Sequence, residues 1–337
     1  MSRRSSTCLA VAACFALAFP ASSAPATPTT SFDVIALGTS GGIDESDLTA
    51  YLIGRAGSAR YVLADAGSVV SGLRAAERKG ALDDIEKSPR GSRAERALAE
   101  HVGAVLVSHA HLDHVSGLVI ASPDDAPRAL FALPSTIDTL KTDLFNNRTW
   151  VNFLDEGERP LKKYTVTRLA PGVATREART GLDVIAYPLS HAGMTSTAFL
   201  LRSDDGAYAL YLGDTGPDVV EGEGKLRALW AVVAPLVRTG ALRVVIIEVS
   251  YPNGRADDRL YGHLTPTHLV AELRVLSTLV DANKRDALRG LPVVVSHVKP
   301  SVGDGKSARA QIAAELDRGN DLGVRFVHLG QGDRARF

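Results

Sequence analysis

The chain has 337 residues, 45% of them hydrophobic, with 38 basic side chains against 38 acidic ones. That length and apolar content suffice for a large core, and a prior of roughly 150 residues per domain allows two domains. Balanced charge with no basic run gives no long-range attraction to a polyanion, so nucleic acid is not an expected partner and a small molecule is.

The first segment reads apart from the rest. Arg3 and Arg4 precede an apolar stretch from Cys8 to Phe19, followed by small residues around Ala21-Ser-Ser-Ala24-Pro-Ala26. This is the three-part layout of a secretory signal peptide, so residues 1–26 are expected to be removed and the rest delivered to the periplasm or outside the cell. No membrane span is expected, because the apolar run is shorter than the roughly 20 residues a helix needs to cross. Val11-Ala-Ala-Cys14 resembles a lipoprotein box, but Phe15-Ala-Leu-Ala-Phe19 continues the apolar core past it, which favours cleavage over a lipid anchor. Both cysteines lie in this segment, so the mature chain has neither disulfides nor thiolate ligands. It also has two fewer basic than acidic residues, since Arg3 and Arg4 leave with the segment.

Beyond it, apolar strands alternate with amphipathic helices. Phe32 to Leu37, Ala50 to Gly54 and Tyr61 to Ala64 read as strands, Val69 to Lys79 as a helix, Ser92 to Arg96 as an exposed loop entering a helix, Ala104 to Ser108 as a strand and Pro134 to Leu144 as a helix. Strands follow at Lys163 to Leu169, Val184 to Leu189, Phe199 to Arg202 and Ala207 to Leu212, the last two joined by the hairpin signal Asp204-Asp205-Gly206. Then Leu226 to Val237, Val244 to Val249, Thr265 to Leu279, Val293 to Ser296, Ser307 to Leu316 and Val324 to His328 alternate helix with strand. Pattern alone supports an α/β fold class.

Four metal-ligand side chains fall in one tight turn, Ser108-His109-Ala-His111-Leu-Asp113-His114, directly after the buried strand Val105-Leu-Val107. On a loop leaving a strand, His109 and His111 can converge on one ion while Asp113 and His114 turn toward a second. Three of the chain's nine histidines stand here with a carboxylate between them. This is far more demanding than a chance polar loop.

The motif resembles the HxHxDH signature of the metallo-β-lactamase superfamily. The resemblance implies a four-layer αββα sandwich and three further ligands, each at the end of a short apolar run: His191 after Val184–Ser190, Asp214 after Ala209–Gly213, and His297 after Val293–Ser296. By that pattern His109, His111 and His191 hold one ion, Asp113, His114 and His297 the other, and Asp214 bridges them. Asp113 is counted among the catalytic residues as well. Asp65, in Leu63-Ala-Asp65-Ala-Gly67, matches a carboxylate that orients a ligand histidine through the ring nitrogen facing away from the metal. The ligands span His109 to His297, so residues 31–337 read as one catalytic domain. The implied cofactor is two divalent ions. Nitrogen and oxygen donors without sulfur make zinc the default and also suit manganese or iron. A pair of ions about 3.5–4 Å apart can lower the pKa of a shared water and aim it at an electrophile.

The fold leaves the reaction open. Leu37-Gly-Thr39-Ser-Gly-Gly42 resembles the opening of the phosphodiesterase branch, which puts Thr39 among the substrate contacts. Glu248 and the later Gly262-His263-Leu-Thr-Pro266 resemble that branch's catalytic Glu and His, where the histidine protonates a departing alkoxide and the glutamate holds its tautomer. The class II cyclic-nucleotide phosphodiesterases are closer still, on Ser108–Gly117, Phe145-Asn-Asn-Arg-Thr-Trp150-Val-Asn152-Phe153, Glu248-Val-Ser-Tyr-Pro-Asn253, Gly262–Pro266 and Ser296-His-Val-Lys-Pro300. Val151 replaces the family's usual proline after Trp150, and the segment is expected to bring the Trp150 face and the Asn152 amide over a purine. The resemblance implies hydrolysis of the 3′,5′-cyclic phosphodiester of cAMP or cGMP to the 5′-nucleotide, and a homodimer by analogy. Lactone or β-lactam hydrolysis would use the same ions without the Glu248 and His263 pair. A non-catalytic exported binding protein is a third class, against which a complete ligand set argues.

Overall fold

The computed structural model describes residues 29–87, 91–300 and 307–337; the expected signal segment lies outside them. Two seven-stranded sheets stack face to face with helices on both outer faces, a four-layer α/β sandwich. The first sheet contains β1 (Phe32–Gly38), β2 (Ala50–Arg55), β3 (Tyr61–Ala64), β4 (Val102–Leu106), β5 (Arg128–Ala132) and β6 (Tyr164–Arg168). The second contains β7 (Ala174–Glu177), β8 (Leu182–His191), β9 (Met194–Arg202), β10 (Tyr208–Leu212), β11 (Leu242–Glu248), β12 (Pro292–Ser296) and β13 (Arg325–Val327). A last strand, β14 (Arg334–Arg336), returns to the first sheet beside β1. The orders are β14-β1-β2-β3-β4-β5-β6 and β13-β12-β11-β10-β9-β8-β7. Each sheet is antiparallel over three pairings and parallel over the other three.

The inner parallel strands β4, β10, β11 and β12 are near-continuous apolar runs because both of their faces are covered. Along β10, Ala209 and Tyr211 point into the core between the sheets, while Leu210 and Leu212 point under the helices, as a period of two requires. Val244 and Ile246 of β11 face inward, and Val245 and Ile247 face outward.

The helices are α1 (Val70–Arg78), α2 (Arg93–Arg96), α3 (Leu112–Ala121), α4 (Pro134–Thr139), α5 (Asp218–Glu221), α6 (Lys225–Arg238), α7 (Pro266–Val280) and α8 (Ala308–Gly319). Their starts are written locally. Ser92 and Glu95 form a reciprocal capping box at α2, and Thr265 caps α7 with Pro266 in its first turn. The pattern reading passes over five elements: the short apolar β5, the one-turn α5, and β7, β14 and α3. Strands β7 and β14 are polar and edge-lying, so neither shows an apolar alternation. Helix α3 begins inside the histidine motif, which places Asp113 and His114 on a helical turn and not on a loop. Among the described residues no helix is long and apolar enough to cross a membrane.

Candidate dinuclear metal centre

Strands β1, β3 and β4 of one sheet and β8, β10, β11 and β12 of the other end on the same rim of the sandwich. The residues just past those ends therefore face one another across the two sheets. His109, His111, His191 and Asp214 bring one ligand atom each within 4.8 Å of one another, and so do Asp113, His114, Asp214 and His297. Asp214 belongs to both groups. Its Oδ1 lies 3.2 Å from His114 Nε2, and its Oδ2 lies 3.1 Å from His297 Nε2 and 3.8 Å from both His109 Nε2 and His191 Nε2.

The opposite ring nitrogens are engaged by the protein. His114 Nδ1 meets Asp65 Oδ2 at 2.8 Å, His297 Nδ1 meets Thr49 Oγ1 at 2.7 Å, His109 Nδ1 meets Ser108 Oγ at 3.0 Å, and His191 Nδ1 reaches the Gly262 carbonyl at 2.8 Å. Each contact turns its ring so that Nε2 points into the cluster. The buried Nε2 atoms of His109, His114 and His297 have no hydrogen-bond partner. Buried polar atoms left without partners are costly, and three of them aimed at shared carboxylates fit a divalent cation. The donor set is entirely nitrogen and oxygen, as such a cation accepts.

Asp65 is a hub. It accepts from His114, from the Ser108 backbone N–H and hydroxyl at 2.7 Å each, and from the Tyr211 hydroxyl at 2.6 Å, all buried. Its φ of 52° and that of His297 at 53° lie in the left-handed region, a strain that the surrounding bonds must hold. Burial opposes ionisation of Asp214, but the neighbouring His114 and His297 hold its carboxyl well below the usual range. Burial, reinforced by the adjacent His114, holds His109 well below the ordinary imidazole value.

His263 closes the far side. Its Nδ1 lies 2.9 Å from Glu248 Oε1, its ring stacks on that of His297 with centroids 5.4 Å apart, and the His191 ring packs against it at 4.9 Å, tilted by 59°. Glu248 is fully buried and also accepts from the Thr215 N–H, the Ser250 hydroxyl and the Leu264 N–H. Burial would depress the His263 imidazole, but the Glu248 carboxylate outweighs it and raises the ring above its ordinary value. Gly262 has φ of 77°, and a β-carbon there would lie 2.5 Å from His191 Nδ1. Only glycine lets the backbone before His263 approach His191 so closely.

Three expected substrate contacts have their polar groups committed to the protein. Thr39 is fully buried, its hydroxyl held 3.2 Å from Asp47 Oδ2 and 2.7 Å from Arg309, so it fastens the 39–47 loop and offers nothing to a ligand. Trp150 donates its indole N–H to Ser122 just beyond the end of α3, about 15 Å of helix away from the ligands at its start. Asn152 is buried, with its amide spent on the Glu156 and Glu158 carbonyls and the Leu154 N–H. Within the chain, neither Trp150 nor Asn152 can lie over a purine held at the cluster. Thr49 and Tyr211 went unread, because no motif spacing links them to the ligands they serve, and Ser108 and Lys299 stood inside the quoted motifs with no role assigned. Lys299 stands with Nζ 3.9 Å from Asp113 Oδ2. His101 bonds the Ala59 carbonyl, and His268 bonds its own helix cap.

The likenesses to known proteins follow this geometry. Residues 30–332 match the family model described as cAMP phosphodiesterases class-II. The chain is 43% identical to a 3′,5′-cyclic-nucleotide phosphodiesterase of Aliivibrio fischeri, covering 91% of this chain and 93% of that protein. It is 41% identical to a probable 3′,5′-cyclic-nucleotide phosphodiesterase of Yersinia pestis, over 92% of this chain and 90% of that one. In structure it is similar to unliganded yeast PDE1 (TM-score 0.76, 24% identity, 91% and 99% of the two chains). It is also similar to the metallo-β-lactamase fold protein YhfI of Bacillus subtilis (TM-score 0.57, 11% identity, 91% and 100%). The fold is thus the αββα metallo-β-lactamase sandwich, a fold whose family implies divalent metal ions, and the chain belongs to the class-II cAMP phosphodiesterase family.

Proposed function

We propose that the chain is an exported two-metal hydrolase that opens the 3′,5′-cyclic phosphodiester of cAMP or cGMP to the 5′-nucleotide. The observation that carries the reading is the His263–Glu248 pair, 2.9 Å apart, with the His263 ring packed against the ligand histidines His297 and His191. A lactone or β-lactam hydrolase needs the cluster but has no use for a buried, carboxylate-backed imidazole beside it. Relatives at 43% and 41% identity named for cyclic-nucleotide phosphodiesterase activity support the same reading.

His109, His111 and His191 would hold one divalent ion, Asp113, His114 and His297 a second, with Asp214 shared; zinc suits the donors, as do manganese and iron. A pair held there would lower the pKa of a water and offset the negative charge of the phosphoryl oxygens. Hydrolysis adds one water: its oxygen joins phosphorus, the proton it sheds is released and makes good the one His263 gives up, and the bond to O3′ breaks with its electron pair left on O3′. His263 delivers the proton that O3′ needs, from Nε2, because Nδ1 is committed to Glu248. Glu248, pinned by Thr215, Ser250 and Leu264, keeps that ring oriented and favours its charged form.

Export rests on the charged, apolar and small-residue order of residues 1–26. Incubating purified protein with cAMP, cGMP, a β-lactam and a lactone, each with and without chelator, tests the activity. The expected result is 5′-AMP and 5′-GMP only, abolished by chelator and restored by Zn²⁺ or Mn²⁺. Turnover of the lactam or lactone with intact cyclic nucleotides would overturn it.

A further inference from the structure

With Trp150 bonded at the far end of α3 and the Asn152 amide spent within its own loop, the purine of such a substrate needs another platform. The loop between Glu248 and His263 supplies one. Tyr251 lies edge-on to His263, with ring centroids 5.8 Å apart and planes at 80°. The Arg255 guanidinium carbon sits 3.7 Å from the Tyr251 ring centroid, and its Nε–H is fixed by the Arg259 carbonyl. Arg255 has no carboxylate partner among the described residues. Both side chains line a cavity of about 410 Å³ whose other walls include Pro252, Asn253, Lys299 and Pro300, a volume within the roughly 300–1,000 Å³ of small-molecule sites. Its inner wall reaches the metal cluster through Lys299, whose ammonium bonds the Gly41 carbonyl at 3.1 Å and stands 3.9 Å from Asp113.

We infer that this cavity is the nucleoside subsite and that the Tyr251–Arg255 pair is the platform on which the purine stacks. The inference rests on the phosphodiesterase reading. A cyclic phosphodiester with phosphorus at the cluster and O3′ at His263 must project its nucleoside past His263, and Tyr251 is the aromatic ring in contact with His263 there. A planar guanidinium already layered on one ring stacks a second flat π system with little further loss of freedom. Lys299 adds positive charge between the cavity and the phosphate position.

Arg255→Ala, Arg255→Lys and wild type would be compared on cAMP, on base-free ribose 3′,5′-cyclic phosphate and on bis(4-nitrophenyl) phosphate. Loss of one base-stacking partner should raise the KM for cAMP by about 5- to 100-fold with kcat retained. The two substrates without a purine should be unaffected, and Arg255→Lys, which keeps the charge and loses the plane, should behave like Arg255→Ala. An unchanged KM for cAMP in Arg255→Ala, wild-type behaviour of Arg255→Lys, or equal losses on all three substrates would overturn the assignment. Wild type that cleaves the nitrophenyl diester and not cAMP would instead remove the cyclic-nucleotide reading, and the subsite with it.

Discussion

Gly41 presses its backbone against His297 so closely that a β-carbon would stand 2.4 Å from Nε2 and 2.5 Å from Cδ2 of the ring. The ring cannot retreat, because Thr49 holds its other nitrogen at 2.7 Å and Gly41 is itself bonded to the Val298 carbonyl. Gly41→Ala should therefore displace His297 and cost the ion it helps to hold. Elemental analysis should show about two ions per chain falling toward one, with cAMP hydrolysis lost in parallel. Full loading of the alanine variant would contradict the role given to His297.

Asp65 touches no substrate position, yet it fixes His114 and receives three further hydrogen bonds. Asp65→Asn places N–H groups against the His114 and Tyr211 donors. Metal affinity should drop by roughly 10- to 100-fold, read by titration of the stripped protein, and Tyr211→Phe should cost less because one donor of four is lost. Unaltered affinity in Asp65→Asn would mean that His114 needs no orienting partner.

His263→Ala should lower kcat on cAMP by about 10²- to 10⁴-fold, the span of a general acid, with metal content intact. A nitrophenyl phosphodiester, whose phenolate departs unaided, should lose far less. Glu248→Gln should act in the same direction on cAMP. Equal losses on both esters would point to a binding or structural part for His263.

Asp33 is buried and paired with Arg334 and Arg336, which hold its carboxyl below the ordinary 3.8 against the opposing effect of burial. A carboxyl depressed in the folded state stabilises above its unfolded pKa, near 3.8, and loses that contribution as pH falls through the folded value. Asp33→Asn should be less stable at pH 7 by about 1–3 kcal/mol, the worth of hydrogen bonds to a charged group. Below pH 4 the gap to wild type should narrow. A gap of constant width in denaturant titrations from pH 7 to pH 3 would show that charge is not what the pair contributes.

If residues 1–26 direct export, the mature chain should begin between about Ser23 and Thr27. N-terminal sequencing of protein from the cell envelope tests this. Intact Met1 in the cytoplasm, or lipid on Cys14, would refute it.

The cluster was legible because its chemistry is written where the backbone changes character: His191, Asp214 and His297 each end an apolar run, and four more ligands share one short motif. Strands covered on both faces, β10 and β12 above all, make such runs conspicuous. Residues that meet the site only through folding left no such mark. Thr49 and Tyr211 look like ordinary strand residues until the sheets bring them to His297 and Asp65. The Trp150 segment shows the converse. Its aromatic and amide groups resemble a ligand contact in sequence, whereas in space they bind Ser122 and the 154–158 backbone. Polar edges such as β14 carry no apolar period to read.

The pairing of β1 with β14 also sets an order of events during synthesis. Asp33 and Arg336 are 303 positions apart, and the Phe32 and Phe337 backbones exchange hydrogen bonds at 2.8 and 2.9 Å. At about 5–20 residues per second, the ribosome needs on the order of tens of seconds to produce the intervening chain. Throughout that interval the outer edge of β1 offers unpaired N–H and C=O groups to any neighbouring strand, the situation in which nascent chains aggregate or recruit chaperones.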